Sequence, residues 1–230
     1  MCGRFASQFE DSIIIDVFGI ERVFPLAPPS WNVAPTQAIT LVREELAPTQ
    51  PVRLAQVARW GLVPSWAKDT KGAARLINAR SETVTEKPSF RVAARRRRAL
   101  VPASGYFEWQ GAADGSKTPY YLHPEPDGQV LALAALYEWW DKANSPAEPL
   151  LSATIITRTA TDQLGHIHDR MPLVVPANMW AEWLDPEPGS ASQVQSMIAA
   201  MPAPQLTPRQ VSRAVGSVKN NHPGLLEPVG

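Results

Sequence analysis

The 230-residue sequence predicts an α+β fold: one domain over residues 1–230, with a curved, mainly antiparallel sheet or open barrel at its core and helices at its periphery. Three observations carry that reading. Runs rich in Val, Ile and Leu dominate the chain, and helix-like stretches are few and lie between or after them. Apolar residues make up 44% of the chain, which suits a globular protein with a substantial core. No internal repeat and no long linker divides the chain.

Taken in order, Asp11–Phe18 is a dense apolar run that stops at Gly19, as a short helix does. Pro25–Pro35 is too rich in proline for regular structure and is expected to be an ordered loop. Ala38–Arg43 and Val52–Gly61 read as strands joined by a turn at Glu44–Pro51. Two tryptophans, Trp60 and Trp66, bracket a Pro/Gly-broken loop, and Leu76–Arg80 returns the chain to the body. Ser81–Arg91 is expected to be partly helical. Ala99–Pro102, Tyr106–Gln110 and Pro119–Leu122 read as strands. Val130–Trp139 is the longest apolar run and a core-strand candidate, linked by polar Asp141–Pro149 to another strand at Leu151–Thr157. Thr161–His166 is a helical turn or two, Arg170–Val175 rejoins the sheet, and Asn178–Leu184 and Ser190–Met201 are helices. A compact polar stretch, Val211–Asn220, lies in the proline-containing tail.

Cys2 is the only cysteine. That excludes an internal disulfide and any multi-cysteine metal site, and suits a reducing, cytoplasmic setting. No apolar run approaches the roughly 20 residues of a membrane span, and the first residues lack the pattern of a secretory signal. Net charge is zero, but Arg75–Arg98 holds eight basic residues against two acidic ones. Local charge of this kind suits either a phosphate-binding face or a solvated loop.

Removal of Met1 would leave Cys2 with a free α-amine and a thiol on one residue. Such a pair attacks an aldehyde twice, the amine forming an imine and the thiolate closing it to a thiazolidine. Three further stretches are dense in polar groups: Asn78–Glu82, Gly105–Trp109 and His166–Pro172. Glu108 alternates with Phe107 and Trp109, and it becomes a proton carrier near neutral pH if its face is buried. His168 suits general acid/base work. His166 and His168 without a third ligand are poor support for a metal. Arg4, Arg80 and Arg170 suit phosphate contacts. Trp31, Trp60, Trp66 and Trp109 are able to stack on bases, with Trp60 and Trp109 expected in the core and Trp66 exposed.

These pieces together resemble the SRAP family of abasic-site processing proteins. The matching stretches are Met1–Phe5, Asn32–Pro35, Trp60–Pro64, Asn78–Glu82, Gly105–Trp109, His168–Pro172 and Val211–Val215. The resemblance implies a barrel-like α+β core and a covalent link from Cys2 to the aldehyde of an abasic site in single-stranded DNA. It implies Cys2 as nucleophile, Asn78 as the positioner of the amine, Glu108 as the proton carrier and His168 as the opener of the deoxyribose ring. Arg4, Arg80 and Arg170 would hold phosphates, Asn32 would lie on the DNA path, and Trp66 would be the stacking wedge. Ala67 stands where relatives often carry a second large residue, and the run Arg95–Arg98 exceeds the family pattern. No cofactor, metal or membrane is implied. The partner is single-stranded DNA containing abasic sites, bound by a monomer that joins the nucleoid when on DNA. Two other readings compete: a cysteine peptidase that removes the residue before Cys2, and a non-covalent single-strand binding module.

Overall fold

The computed structural model describes residues 2–141, 148–160 and 162–229. Met1, most of the Asp141–Pro149 link and Thr161 lie outside the described residues.

The strands, in chain order, are β1 (Phe5–Ser7), β2 (Arg22–Val23), β3 (Ser30–Val33), β4 (Ala38–Glu45), β5 (Val52–Trp60), β6 (Asn78–Arg80), β7 (Arg98–Ala103), β8 (Gly105–Gly111), β9 (Lys117–His123), β10 (Leu131–Trp140), β11 (Leu150–Thr159), β12 (Arg170–Pro172) and β13 (Thr207–Gln210). The helices are α1 (Asp11–Phe18), α2 (Arg91–Arg96), α3 (Asp162–Gly165), α4 (Trp180–Leu184) and α5 (Ala191–Ala200). Gly19 ends α1 in the left-handed conformation, φ 61°, where its missing Cβ avoids strain. Ser190 and Gln193 cap α5 reciprocally.

β4 pairs with β5 and β7, β7 with β10, and β10 with β11, all antiparallel. A parallel contact, Ser152↔Arg59 and Ala153↔Trp60, then joins β11 to β5. That contact closes the ring, so the barrel is shut where the sequence allowed an open one. Side-chain alternation divides the residues of these strands between two cores. Ile39, Leu41, Ala58, Trp60, Ala99, Val101, Leu133, Ala135, Ala153 and Ile155 fill the barrel. Val42, Ala55, Leu100, Ala132, Ala134, Leu136 and Ile156 face outward and pack with α1, α2, α4 and α5. The long apolar run at β10 follows directly, because both of its faces are buried.

A second, antiparallel sheet runs β13-β9-β8-β1-β3 and covers one end of the barrel. Its strand β1, between β8 and β3, is only three residues long, yet it carries Phe5 and the adjoining Cys2 into the barrel core. Gly105 opens β8 beside β1. A Cβ there would lie 2.6 Å from the Leu122 carbonyl oxygen and from the Tyr121 ring, both on β9, so only glycine lets β8 and β9 approach this closely here.

Two expectations are corrected. Pro25–Pro35 is not wholly loop, because its prolines flank a proline-free segment, Ser30–Val33, that pairs with β1. Ser81–Phe90 forms turns, and the helix begins only at Arg91. The arginine run is also neither free nor simply solvated. Arg98 is 4% exposed and donates to the carbonyls of Trp183, Asp185, Ala94 and Arg95, tying α2 and α4 to β7. Arg97 pairs with Glu138 at 2.7 Å, and Arg95 bonds the Gly189 carbonyl. Arg96 is exposed.

Replacing Arg98 strands the Trp183, Asp185 and Ala94 carbonyls that its guanidinium now satisfies. Arg98→Ala is expected to lower unfolding free energy by about 2–4 kcal/mol, as charged hydrogen bonds lost from a buried site do. Urea denaturation measures it, and a loss below about 0.5 kcal/mol would contradict the assignment.

Candidate functional site

Cys2 has no exposed surface. It is enclosed where the covering sheet meets the barrel. Antiparallel pairing sets Phe5 opposite Tyr106, and the Phe107 amide donates to the Arg4 carbonyl at 2.9 Å. The N-terminal residues are thus held by β8, the strand that carries Glu108.

β6 reaches Cys2 from the other side. It pairs in parallel with β11 through Asn78↔Ile155, which fixes the Asn78 backbone on the barrel rim. The Asn78 Nδ2 donates to the Cys2 carbonyl at 2.8 Å. Its Oδ1 is buried and has no hydrogen-bond partner among the described residues, so an acceptor is available beside the Cys2 backbone.

Glu108 is 4% exposed even though its neighbours in the strand, Phe107 and Trp109, pack on the opposite face. Both faces of β8 are covered at this point. Burial raises the Glu108 carboxyl above the ordinary carboxylate range, with the charge of His168 opposing. His168 Nε2 lies 3.9 Å from Glu108 Oε2. On the other edge of that ring, Nδ1 accepts from the Arg170 amide at 3.0 Å and is 2.9 Å from Asp169 Oδ1. Nδ1 thus meets both a backbone N–H and a carboxylate, and Nε2 is left on the ring edge that faces Glu108. Glu108, His168, Tyr106 and Arg170 line one small crevice with Leu122, Leu164 and Ile167.

The Cys2 thiol is pushed far above its ordinary value, first by burial and then by the Glu108 charge. Tyr106 is raised as well, by burial and by Cys2 and Glu108. A thiol in this state is not a ready-made thiolate. The site favours neutral acid forms, holds one backbone carbonyl, and sets a carboxyl and an imidazole face to face: a proton-relay arrangement around the end of the chain.

The sequence-proposed phosphate ligands fall into two groups. Arg80 is exposed on the far end of β6, and Trp66 is 68% exposed. By contrast, Arg4 donates to Asn32 Oδ1 and to the Val215 carbonyl, both at 2.8 Å, and stands 6.0 Å from the Trp109 ring centre. Asn32 is 2% exposed and gives its amide hydrogens to the carbonyls of Val215, Ser217 and Asn220. It therefore holds Arg4 and the tail in place from inside. Arg170 is gripped by both oxygens of Glu82, at 2.7 and 3.0 Å, and by the Thr157 carbonyl. Trp60 is fully buried, whereas Trp109 is half-buried beside Arg4. Trp31 is half-buried on β3. Tyr106 and Glu82 were quoted within the sequence stretches but given no role; their place at the site emerges only from the fold. Among the described residues, no group of three or more His, Cys, Asp or Glu side chains forms a metal site.

The family model for SOS response associated peptidase (SRAP) matches residues 1–218, and the chain belongs to that family. It is 38% identical to abasic site processing protein YoqW of Bacillus subtilis over 99% of both chains. It is 35% identical to YedK of Escherichia coli over the full length of each, and 30% identical to HMCES of Gallus gallus over 87% of this chain and 66% of that one. A crystal structure of a Bacteroides thetaiotaomicron protein superposes with a TM-score of 0.83 at 20% identity, covering 99% of this chain and all of the other. That likeness establishes the shared fold.

The direction of the Glu108 shift has a testable sign. Folding favours its protonated form. Its contribution to stability is full below the unfolded value, about 4.3, and is lost as pH rises through the higher folded value. Glu108→Gln should therefore gain stability relative to wild type between pH 4 and pH 8. Thermal melts across that range check it; a difference independent of pH would contradict the burial argument.

Proposed function

We propose that this chain captures the ring-opened aldehyde of an abasic site in single-stranded DNA, forming a thiazolidine with Cys2 after Met1 is removed. The observation that carries the reading is Cys2 itself: wholly buried, held by Asn78 at its carbonyl and set beside Glu108.

The α-amine leads. It must be neutral to attack, and a buried Glu108 carboxylate is placed to accept its proton. The nitrogen bonds to the aldehyde carbon, and the carbinolamine loses its oxygen as water, leaving an imine. The Cys2 sulfur then bonds to the imine carbon while its proton passes to the nitrogen. The balance is aldehyde plus aminothiol giving thiazolidine plus one water. Asn78 Oδ1 is an acceptor suited to the amine hydrogens. His168, with Nε2 facing Glu108, is suited to open the closed sugar and expose the aldehyde. An unpaired strand presents that sugar without the cost of unpairing a duplex. Arg80 and Trp66 supply an exposed cation and an exposed ring for the neighbouring nucleotides.

The raised thiol argues against a cysteine peptidase, whose nucleophile works as a thiolate of lowered pKa. A non-covalent binding module gives no reason to bury an aminothiol beside a carboxyl and an imidazole.

Denaturing gels after incubation with an abasic oligonucleotide test the reading. Wild type should form a denaturation-resistant adduct and Cys2→Ala none. Glu108→Ala and His168→Ala should slow adduct formation roughly 10²-fold, the usual weight of one acid/base group. Undiminished adduct from Cys2→Ala would overturn it.

A further inference from the structure

Resting on the proposed function, the geometry points to Glu82 as a positioning residue for His168, acting through Arg170.

Glu82 lies two residues beyond β6, the strand that carries Asn78. Arg170 opens β12 two residues after His168. The two segments flank β11: β6 pairs with Ile155–Thr157 and β12 with Thr157–Thr159. The Glu82 carboxylate grips Arg170 Nη1 and Nη2 at 2.7 and 3.0 Å, a fork-to-fork pair that fixes angle as well as distance. The guanidinium also meets the Thr157 carbonyl at 2.6 Å and the Thr159 hydroxyl at 3.3 Å, so its place is set from three sides. Its side chain is only 10% exposed, against 48% for Glu82.

The backbone of this same Arg170 sets the His168 ring, through the amide bond to Nδ1 at 3.0 Å. Locking the guanidinium locks the residue whose N–H meets one edge of the His168 ring and so keeps Nε2 turned toward Glu108. The Glu82–Arg170 pair is thus the tie between the Asn78 arm and the His168 arm of the site. Glu82 is held ionised, near about 2, chiefly by its hydrogen bond to Arg170, so the tie persists at all working pH values.

The test is a double-mutant cycle on single-turnover adduct formation with an abasic oligonucleotide, using wild type, Glu82→Gln, His168→Ala and the double variant. Wild-type adduct is the control; its absence would fail the proposed function and not this inference. Glu82→Gln is expected to lower the rate at saturating DNA roughly tenfold, as loosened support of an acid/base group does, with half-saturation moving less than about twofold. In the His168→Ala background the same change should have no further effect. An equal loss in both backgrounds would mean that Glu82 acts on the fold at large and would overturn the inference. So would an unchanged saturating rate with tighter DNA binding, which would make Glu82 a competitor for a phosphate-binding Arg170.

Discussion

Everything at the site depends on how the chain's first residues are buried. β1 is three residues long and is worth little alone, but it is paired on both edges, by β3 and by β8. Those pairings bring Cys2 into the barrel core, and the Asn78 amide clamps its carbonyl from the rim. The result is a terminus with one degree of placement. A flexible tail would spend its encounters with an aldehyde in unproductive orientations; a fixed one converts the reaction to a near-unimolecular step.

Burial then sets the electrostatics. The Cys2 thiol, the Tyr106 phenol and the Glu108 carboxyl are all pushed toward their neutral forms by the same low-polarity surroundings. A peptidase-like site would need the opposite at sulfur. On the proposed reading the environment sets the order of events: the amine would attack first, and sulfur would follow once a proton acceptor is free beside it. Mobile positive charge is kept outside, at Arg80 and in the exposed members of the arginine-rich segment, where it meets solvent and has no cost of desolvation.

Much of the fold was legible because alternation and apolar runs report burial directly, as at β10, whose two buried faces left a continuous hydrophobic stretch. Segments stabilised by their partners were not. β3 hides between prolines, and β13 contains Pro208, a residue tolerated because this strand lies at the sheet edge. The candidate site residues Cys2, Asn78, Glu108 and His168 were legible as chemistry, and family resemblance tied them together. What they touch was not. Arg4 and Asn32 meet a tail more than 180 residues away, and Arg98 is buried against carbonyls of two helices. An arginine's sequence context does not reveal whether its guanidinium faces a ligand or a backbone.

The central claim is that amine and thiol of one residue act together on one aldehyde. Intact mass spectrometry of the protein after incubation with a single-stranded abasic oligonucleotide tests it most directly. The account expects one species whose mass equals the chain without Met1, plus the oligonucleotide, less one water, and which survives denaturation without a reducing agent. An adduct on a chain that still carries Met1, or no adduct on a chain that has lost it, would contradict the account.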